Sequence, residues 1–195
     1  MSEFVKQIKP HFERATIPLI NIFSKANISP HILTLSGLAF TAIASYFIYT
    51  YHFFWAGVLL AIGGFFDALD GHLARKSGKV STFGAFLDST VDRIADFLPL
   101  SALVFVFKDD DFMLAFILMA ILFSFLVSYA RARAEGLGLR CTVGFFERPE
   151  RLIILIISLI TGFIKIGIIV LAIGSFITFL QRVLYVLKQE EINGK

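Results

Sequence analysis

The sequence alternates between long apolar stretches and short polar connections. A helix needs about 20 mostly apolar residues to cross a bilayer, and six stretches approach or reach that length. They cover residues 32–50, 53–73, 83–107, 112–132, 152–164 and 166–187. The pattern predicts an all-α integral membrane protein. Residues 1–195 are expected to form a single membrane-embedded domain, with a six-helix bundle over residues 29–188.

The first 28 residues follow a different pattern. Phe, Ile and Leu are mixed with Lys, Glu and Arg, and Pro10 and Pro18 interrupt the spacing. Such a mixture is typical of an amphipathic helix that lies along a membrane surface. Proline in a helix interior removes a hydrogen bond and usually ends or kinks the helix. We therefore expect residues 1–28 to form a short interfacial helix before the first span.

The placement of positive charges predicts how the bundle is oriented. Lys and Arg are concentrated in the N-terminal segment, in the second-to-third and fourth-to-fifth connections, and at the C-terminus. The opposite connections carry little beyond the acidic segment 109–111 and Lys165, which separates the last two spans. Because connections rich in Lys and Arg remain in the cytoplasm, both termini are predicted to be cytoplasmic. The protein is expected to be a multi-pass protein of the cell membrane.

Composition agrees with this picture and narrows the function classes. The 195 residues are 57% hydrophobic and 17% charged, whereas soluble domains are about 45–50% apolar and about 25% charged. Cys141 is the single cysteine, which excludes an intrachain disulfide and a thiolate metal cluster. The net charge of +3 comes without a block of like charges or a basic–aromatic pattern. No nucleic-acid partner is expected.

Four aspartates lie in two otherwise apolar helices: Asp67 and Asp70 in the second span, Asp88 and Asp92 in the third. One Asp at the centre of a membrane helix costs about 2.5–3.5 kcal/mol on insertion scales. The spacings i,i+3 and i,i+4 place each pair on one helix face, and the short connection makes the helices antiparallel neighbours. Carboxylates this close cannot all stay ionised unless cations intervene. Oxygen ligands favour Mg²⁺, Mn²⁺ or Ca²⁺ over zinc, so the site is suited to a pair of such ions.

Small residues accompany the aspartates. Gly71, Ala74 and Gly84 would let a nucleotide or a diphosphate approach the backbone, and Arg75 has a fork of donors for phosphate. Small residues also line helix interfaces in membranes, which is the structural alternative. Packing alone does not account for the aspartates.

Together these residues spell D-x2-D-G-x2-A-R-x8-G-x3-D-x3-D, which resembles the signature of the CDP-alcohol phosphotransferase family, integral membrane enzymes of phospholipid synthesis. The resemblance implies transfer of a lipid phosphate group from a CDP-activated lipid to a hydroxyl acceptor, with release of CMP. It also implies two Mg²⁺ or Mn²⁺ ions, a homodimer, and an active site open to the cytoplasm. Asp67, Asp70, Asp88 and Asp92 would bind the metals, and Asp92 would also be the catalytic base. The residues implied to bind the CDP-lipid are Pro30, His31, Ile32, Leu33, Gly71, Ala74, Arg75, Ser81 and Gly84.

Arginines at the predicted cytoplasmic ends of the last three spans bear on the acceptor. Arg131, Arg151 and Arg182 could cluster beside the aspartates and would suit a phosphorylated acceptor. Alternatively, they serve only to orient the protein in the membrane. As a group they resemble the branch that uses inositol 1-phosphate to make phosphatidyl- or archaetidylinositol phosphate. Glycerol 3-phosphate, serine, or a pair of CDP-inositol and inositol phosphate remain alternatives with the same chemistry.

Two alternatives lie outside the family. An ion or proton transporter also uses intramembrane aspartates, but such proteins often have inverted repeats and interrupted spans, and the sequence shows neither. A catalytically silent structural protein would leave the aspartates uncompensated. Asp96 and Arg93, in the third span, are expected to pair with each other in a structural role.

Overall fold

The computed structural model describes residues 3–193, and the side chains of residues 10–189. This part of the chain is all-helical, as the sequence predicts, with seven α-helices and no strand. Residues 1, 2, 194 and 195 of the predicted single domain lie outside it. The helices are α1 Glu3–Lys25, α2 Pro30–Tyr49, α3 Phe53–Ser77, α4 Thr82–Val106, α5 Asp111–Gly136, α6 Arg148–Thr161 and α7 Ile164–Asn193.

Four of these helices, α2, α3, α5 and α7, are long and apolar enough to cross a membrane. Helix α4 has the length but carries several charged residues, and α6 has only 14 residues. The boundary between the last two helices differs from the prediction. Helix α6 ends at Thr161 because Gly162 adopts a left-handed conformation with φ of 81°, a common helix terminator. Lys165 therefore lies in the first turn of α7 and not between the two helices.

Helix α1 corrects the expectation that proline limits the N-terminal helix. It runs unbroken over 23 residues with Pro10 and Pro18 inside it. Both prolines lie on the exposed side, where the backbone carbonyls that they leave without a partner can face a polar medium. The opposite side buries Thr16 and Ile20, and Ile20 packs into an apolar cluster with α3 residues such as Leu69.

Close helix contacts position the polar end of the bundle. Helix α2 packs against α3 and α4, α5 against α7, and α6 against α3 and α7. Where α2 crosses α3, a Cβ on Gly37 would collide with the carbonyl of Gly63, and a Cβ on Gly63 with the carbonyl of Gly37. Only glycine allows this approach, which brings Thr34 of α2 against Asp70 of α3.

Asp110 lies between α4 and α5, at the end of α4 opposite Asp88. Asp110 caps α5 by accepting a 3.1 Å hydrogen bond from the Met113 amide, and its other oxygen accepts a 2.8 Å hydrogen bond from Lys165 Nζ. The hydrogen bond from Lys165, together with the cap, lowers the pKa of Asp110 below its usual range. We expect Asp110→Asn, which keeps a capping oxygen, to lower the melting temperature less than Asp110→Ala.

The same pair predicts a pH dependence that thermal unfolding in lipid nanodiscs would measure. Because the pKa of Asp110 is lower in the folded state, its stabilising contribution is complete above the unfolded pKa of about 4. That contribution is lost as the pH falls through the folded pKa. The melting temperatures of wild type and Asp110→Asn should therefore converge in acid. A constant difference at every pH would contradict a charge-based contribution of Asp110.

Candidate active site

Three of the four predicted metal ligands meet at the junction of α3 and α4. Asp67 and Asp70 lie on α3 and Asp88 on α4, and one carboxylate oxygen from each lies within 4.8 Å of the other two. Asp70 is 7% exposed and accepts a hydrogen bond from the Thr34 hydroxyl of α2. The cluster offers only hard, negatively charged oxygen donors, which fits Mg²⁺, Mn²⁺ or Ca²⁺.

Asp92, the fourth predicted ligand, lies one helical turn beyond Asp88 on α4. Its Oδ1 atom is buried, accepts no hydrogen bond from the residues that the structure describes, and is 3.0 Å from Arg148 Nη1. Its Oδ2 atom is 3.4 Å from Arg93 Nη1. Both oxygens of Asp92 therefore lie beside guanidinium groups, and a metal ion or a hydroxyl proton would compete with Arg148 for Oδ1.

Arg148, at the start of α6, is a site residue that the sequence reasoning missed. Its guanidinium lies 2.6 Å from Asp67, 3.0 Å from Asp92 and 3.3 Å from Asp96. Asp96 also binds Arg151 at 2.7 Å. The predicted pairing of Asp96 with Arg93 is therefore wrong, because α6 supplies closer cations to Asp96. In sequence, Arg148 is one of several basic residues in its connection and carries no separate signal.

A first cavity, of about 170 Å³, opens beside Asp70 and Asp88 between α2, α3 and α4. Seven of the nine residues predicted to bind the CDP-lipid line it: Pro30, His31, Gly71, Ala74, Arg75, Ser81 and Gly84. It is also lined by Thr34, Lys79, Val80 and Ala85, which the sequence reasoning did not single out.

Ile32 and Leu33 do not line the first cavity. Ile32 is 55% exposed, and Leu33 is buried in the apolar cluster beneath α1. Successive residues of a helix point about 100° apart, whereas i and i+4 share a face. The side of α2 that carries Pro30, His31 and Thr34 therefore borders the cavity, whereas Ile32 and Leu33 point elsewhere.

Polar contacts from α1, from the connection between α1 and α2, and from the cap of α4 shape the wall of the first cavity. Arg75 binds Glu13 of α1 at 2.8 Å, and Lys79 donates to Asn27 at 2.6 Å. Ser81 caps α4 by accepting a 3.0 Å hydrogen bond from the Gly84 amide. At Gly84 a Cβ would press on both the Ser81 hydroxyl and the His31 ring, so a larger residue would fill this part of the cavity.

A second cavity, of about 510 Å³, lies on the other side of the aspartates between α4, α5, α6 and α7. It brings together the three arginines predicted to bind the acceptor, and Asp92 also borders it. Its charged lining consists of Arg93, Arg131, Arg148, Arg151, Arg182, Asp88, Asp92, Glu135 and Glu147. Because Asp88 lines both cavities, the two meet at the acidic cluster.

The three arginines predicted to bind the acceptor differ in burial and in their contacts with other protein groups. Arg182 is almost fully buried and donates to the carbonyls of Val127 and Val143 at 2.5 and 3.0 Å, with Glu147 at 3.2 Å. Arg151 is buried against Asp96. The side chain of Arg131 is 40% exposed.

Arg131 pairs with two carboxylates, 2.9 Å from Glu135 and 3.8 Å from Glu147. Because it is also the most exposed of the three, it is the most available to a ligand. Glu147, a further residue that the sequence reasoning did not assign, links Arg131 to the buried Arg182.

Comparison with known proteins decides the family. The sequence profile of the CDP-alcohol phosphatidyltransferase family matches residues 27–186. The chain belongs to this family. The family prediction made from the aspartate motif is confirmed, and the protein is a membrane transferase of the CDP-alcohol phosphatidyltransferase type.

Curated relatives within the family extend over nearly the whole chain. An archaetidylinositol phosphate synthase of Pyrococcus horikoshii is 39% identical over 192 residues, which are 96% of this chain and 99% of the relative. A phosphatidylinositol phosphate synthase of Mycobacteroides abscessus is 37% identical over 183 residues, 88% of this chain and 83% of the relative.

Solved structures of the same type superpose closely. The Mycobacterium tuberculosis phosphatidylinositol phosphate synthase with CDP-DAG bound has a TM-score of 0.82 and 31% identity, covering 89% of this chain and 94% of that chain. A structure of the same enzyme in complex with manganese and citrate has a TM-score of 0.82 and 30% identity, covering 88% of each chain.

Proposed function

We propose that this CDP-alcohol phosphatidyltransferase transfers the phosphatidyl or archaetidyl group of a CDP-activated lipid to a hydroxyl of inositol 1-phosphate and releases CMP. The observation that carries the proposal is the second cavity, where Arg131, Arg151 and Arg182 converge beside Asp92. The relatives named as phosphatidyl- and archaetidylinositol phosphate synthases support the same acceptor.

The first cavity is proposed as the donor side of the reaction. Gly71, Ala74 and Gly84 leave room at the backbone for a CDP diphosphate, and Arg75 supplies donors to it. Pro30, His31 and Ser81 border the same space. The relative from M. tuberculosis that was solved with CDP-DAG supports a donor of this class.

The second cavity is proposed as the acceptor side. Guanidinium groups bind phosphate through paired, charge-assisted hydrogen bonds, and Arg131 is the group most exposed to the cavity. Arg151 and Arg182 are largely committed to Asp96, to backbone carbonyls and to Glu147. They would set the positive potential and the shape of the cavity more than they would wrap around the ligand.

Asp92 is proposed as the base of the reaction, because it borders the second cavity and lies beside the acidic cluster. It would take the proton of the acceptor hydroxyl as the hydroxyl oxygen attacks the β-phosphorus and the bond from that phosphorus to the CMP oxygen breaks. Asp67, Asp70, Asp88 and Asp92 are proposed to hold two Mg²⁺ or Mn²⁺ ions. Such ions neutralise a diphosphate and its leaving group.

The arrangement of the helices in the membrane is also part of the proposal. Helices α2 to α7 would be the six spans of a single domain over residues 1–195, with α1 along the cytoplasmic surface of the cell membrane. Both termini and the two cavities would face the cytoplasm, in keeping with the basic connections at that end. A homodimer is proposed from the family resemblance, and mass photometry in lipid nanodiscs would test it.

The acceptor is tested by CMP release from purified protein in lipid, with Mg²⁺, a CDP-lipid and one acceptor at a time. We expect release with inositol 1-phosphate and little with the other three acceptors, free inositol, glycerol 3-phosphate and serine. Free inositol lacks the phosphate, glycerol 3-phosphate lacks the ring, and serine lacks both. CDP-diacylglycerol and CDP-archaeol would be compared as donors. Release with a different acceptor would keep the reaction type and reject the acceptor assignment.

A further inference from the structure

Arg148 reaches three carboxylates at once. Its Nη1 atom lies 2.6 Å from Asp67 Oδ2 and 3.0 Å from Asp92 Oδ1, and its Nε atom lies 3.3 Å from Asp96 Oδ1. These contacts connect α6 with both helices that carry the aspartates. The side chain is 19% exposed, so these ion pairs are partly removed from water and are screened less than surface pairs.

The position of Arg148 on its own helix does not explain its presence. It is the first residue of α6, and a cation at a helix N-terminus is disfavoured by the helix dipole. The carboxylates of α3 and α4 therefore have to outweigh an unfavourable local placement. The favourable interactions of Arg148 are therefore those that it makes across the bundle.

The charge balance shows what the contact changes. The cluster and its surroundings hold five carboxylates, namely Asp67, Asp70, Asp88, Asp92 and Asp96, and three guanidinium groups against them, Arg93, Arg148 and Arg151. If all are ionised, two negative charges remain. One divalent cation would neutralise the group, and two would leave two positive charges to face a diphosphate. Without Arg148 the cluster would be more negative by one charge.

We propose that Arg148 is a built-in counter-ion of the metal centre, which holds Asp67 and Asp92 together in the absence of metal and weakens the binding of divalent cations. The proposal rests on the proposed function only in taking these aspartates as a metal centre. A carboxylate has two oxygens, so contact with Arg148 through one leaves Asp67 able to ligate a cation through the other. In this role Arg148 acts on the aspartates as a positioning residue, although it also lines the second cavity.

The alternatives make different predictions. A purely structural ion pair would stabilise the protein equally with and without metal. An acceptor-binding arginine would change the KM of the acceptor and leave the affinity for metal unchanged. A counter-ion stabilises mainly the metal-free protein, because bound cations take over the neutralisation of the aspartates. Its removal should also strengthen the attraction between the cluster and cations.

The test compares Arg148→Gln with Arg133→Gln, an exposed arginine of α5, in nanodiscs. Melting temperatures are measured in EDTA and in saturating Mn²⁺, and Mn²⁺ affinity is measured by electron paramagnetic resonance. In EDTA we expect Arg148→Gln to melt more than about 5 °C below wild type, with less than half of that loss in Mn²⁺. Its Mn²⁺ affinity should rise about tenfold or more. Arg133→Gln should change neither quantity.

Each outcome separates the hypotheses. An equal loss of melting temperature in EDTA and Mn²⁺, or an unchanged or weaker Mn²⁺ affinity, would overturn the counter-ion role. A wild type that neither binds Mn²⁺ nor is stabilised by it would instead reject the metal centre of the proposed function. If Arg148→Gln does not fold, Arg148→Lys replaces it, since lysine keeps the charge and loses the planar fork. Arg148→Lys should have a lower melting temperature than wild type in EDTA but not in Mn²⁺. Equal losses of melting temperature in EDTA and in Mn²⁺ would again overturn the proposal.

Discussion

An Asp92→Asn variant is expected to release CMP about 10³-fold more slowly than wild type, within the range typical of the loss of a general base. Asparagine keeps the size of the side chain but cannot accept a proton from the acceptor hydroxyl. The loss should appear in kcat, because Asp92 borders the acceptor cavity without being one of its cations. Initial rates with saturating CDP-lipid and inositol 1-phosphate would measure it.

Asp88→Asn is the matched control, because Asp88 belongs to the three-aspartate cluster and Asp92 does not. Both variants remove one negative charge from the same face of α4. We expect Asp88→Asn to lose Mn²⁺ binding, whereas Asp92→Asn keeps measurable Mn²⁺ binding through the intact cluster. Activity of Asp92→Asn above about one tenth of wild type would remove the base assignment. Complete loss of Mn²⁺ binding in Asp92→Asn would make Asp92 mainly a ligand.

The acidic cluster was predictable because its geometry is local. Helical spacing fixes Asp67 with Asp70, and a four-residue connection between α3 and α4 leaves little freedom in how Asp88 approaches them. The cost of carboxylates in an apolar helix also singles them out from the amino-acid sequence alone. Five residues of the first cavity, Gly71, Ala74, Arg75, Ser81 and Gly84, lie within the same motif, whereas Pro30 and His31 followed only from the family resemblance.

Other contacts were not predictable because they join distant parts of the chain. Arg148 is 81 positions from Asp67, and no periodicity links the two. Arg93 and Asp96 have the i,i+3 spacing of an ion pair, yet Asp96 binds the arginines of α6. Local spacing indicates which pairs are possible, but the packing of neighbouring helices decides between competing partners. The spacing of residues along the chain therefore does not predict which partner each charged residue binds.

The N-terminal helix shows a different limit of sequence reasoning. Proline usually interrupts helices, so Pro10 and Pro18 predicted a short segment, and the structure has one continuous helix. The interruption is avoided because both prolines lie on the outer face, while Ile20 and its neighbours are held against α3. Which face of α1 is buried depends on a partner helix that the local pattern does not specify.

The two cavities lead to a reciprocal prediction. Arg131→Gln should raise the KM for inositol 1-phosphate about 10- to 100-fold, since a hydrogen bond to a charged group contributes about 1.5–3 kcal/mol. The KM for the CDP-lipid should stay within about threefold of wild type, because Arg131 lines only the second cavity. Arg75→Gln should do the reverse, because Arg75 lines only the first.

The pair of variants controls for general damage to the protein. Both replace a partly exposed arginine that binds a glutamate, Glu135 for Arg131 and Glu13 for Arg75. Each loses a comparable surface ion pair, which contributes little to stability. Steady-state kinetics with each substrate varied in turn would give the four KM values. If both variants raised the same KM, the division into donor and acceptor cavities would be wrong. If neither did, the phosphates would depend on the metal centre and the backbone, and these arginines would serve only the orientation of the helices in the membrane.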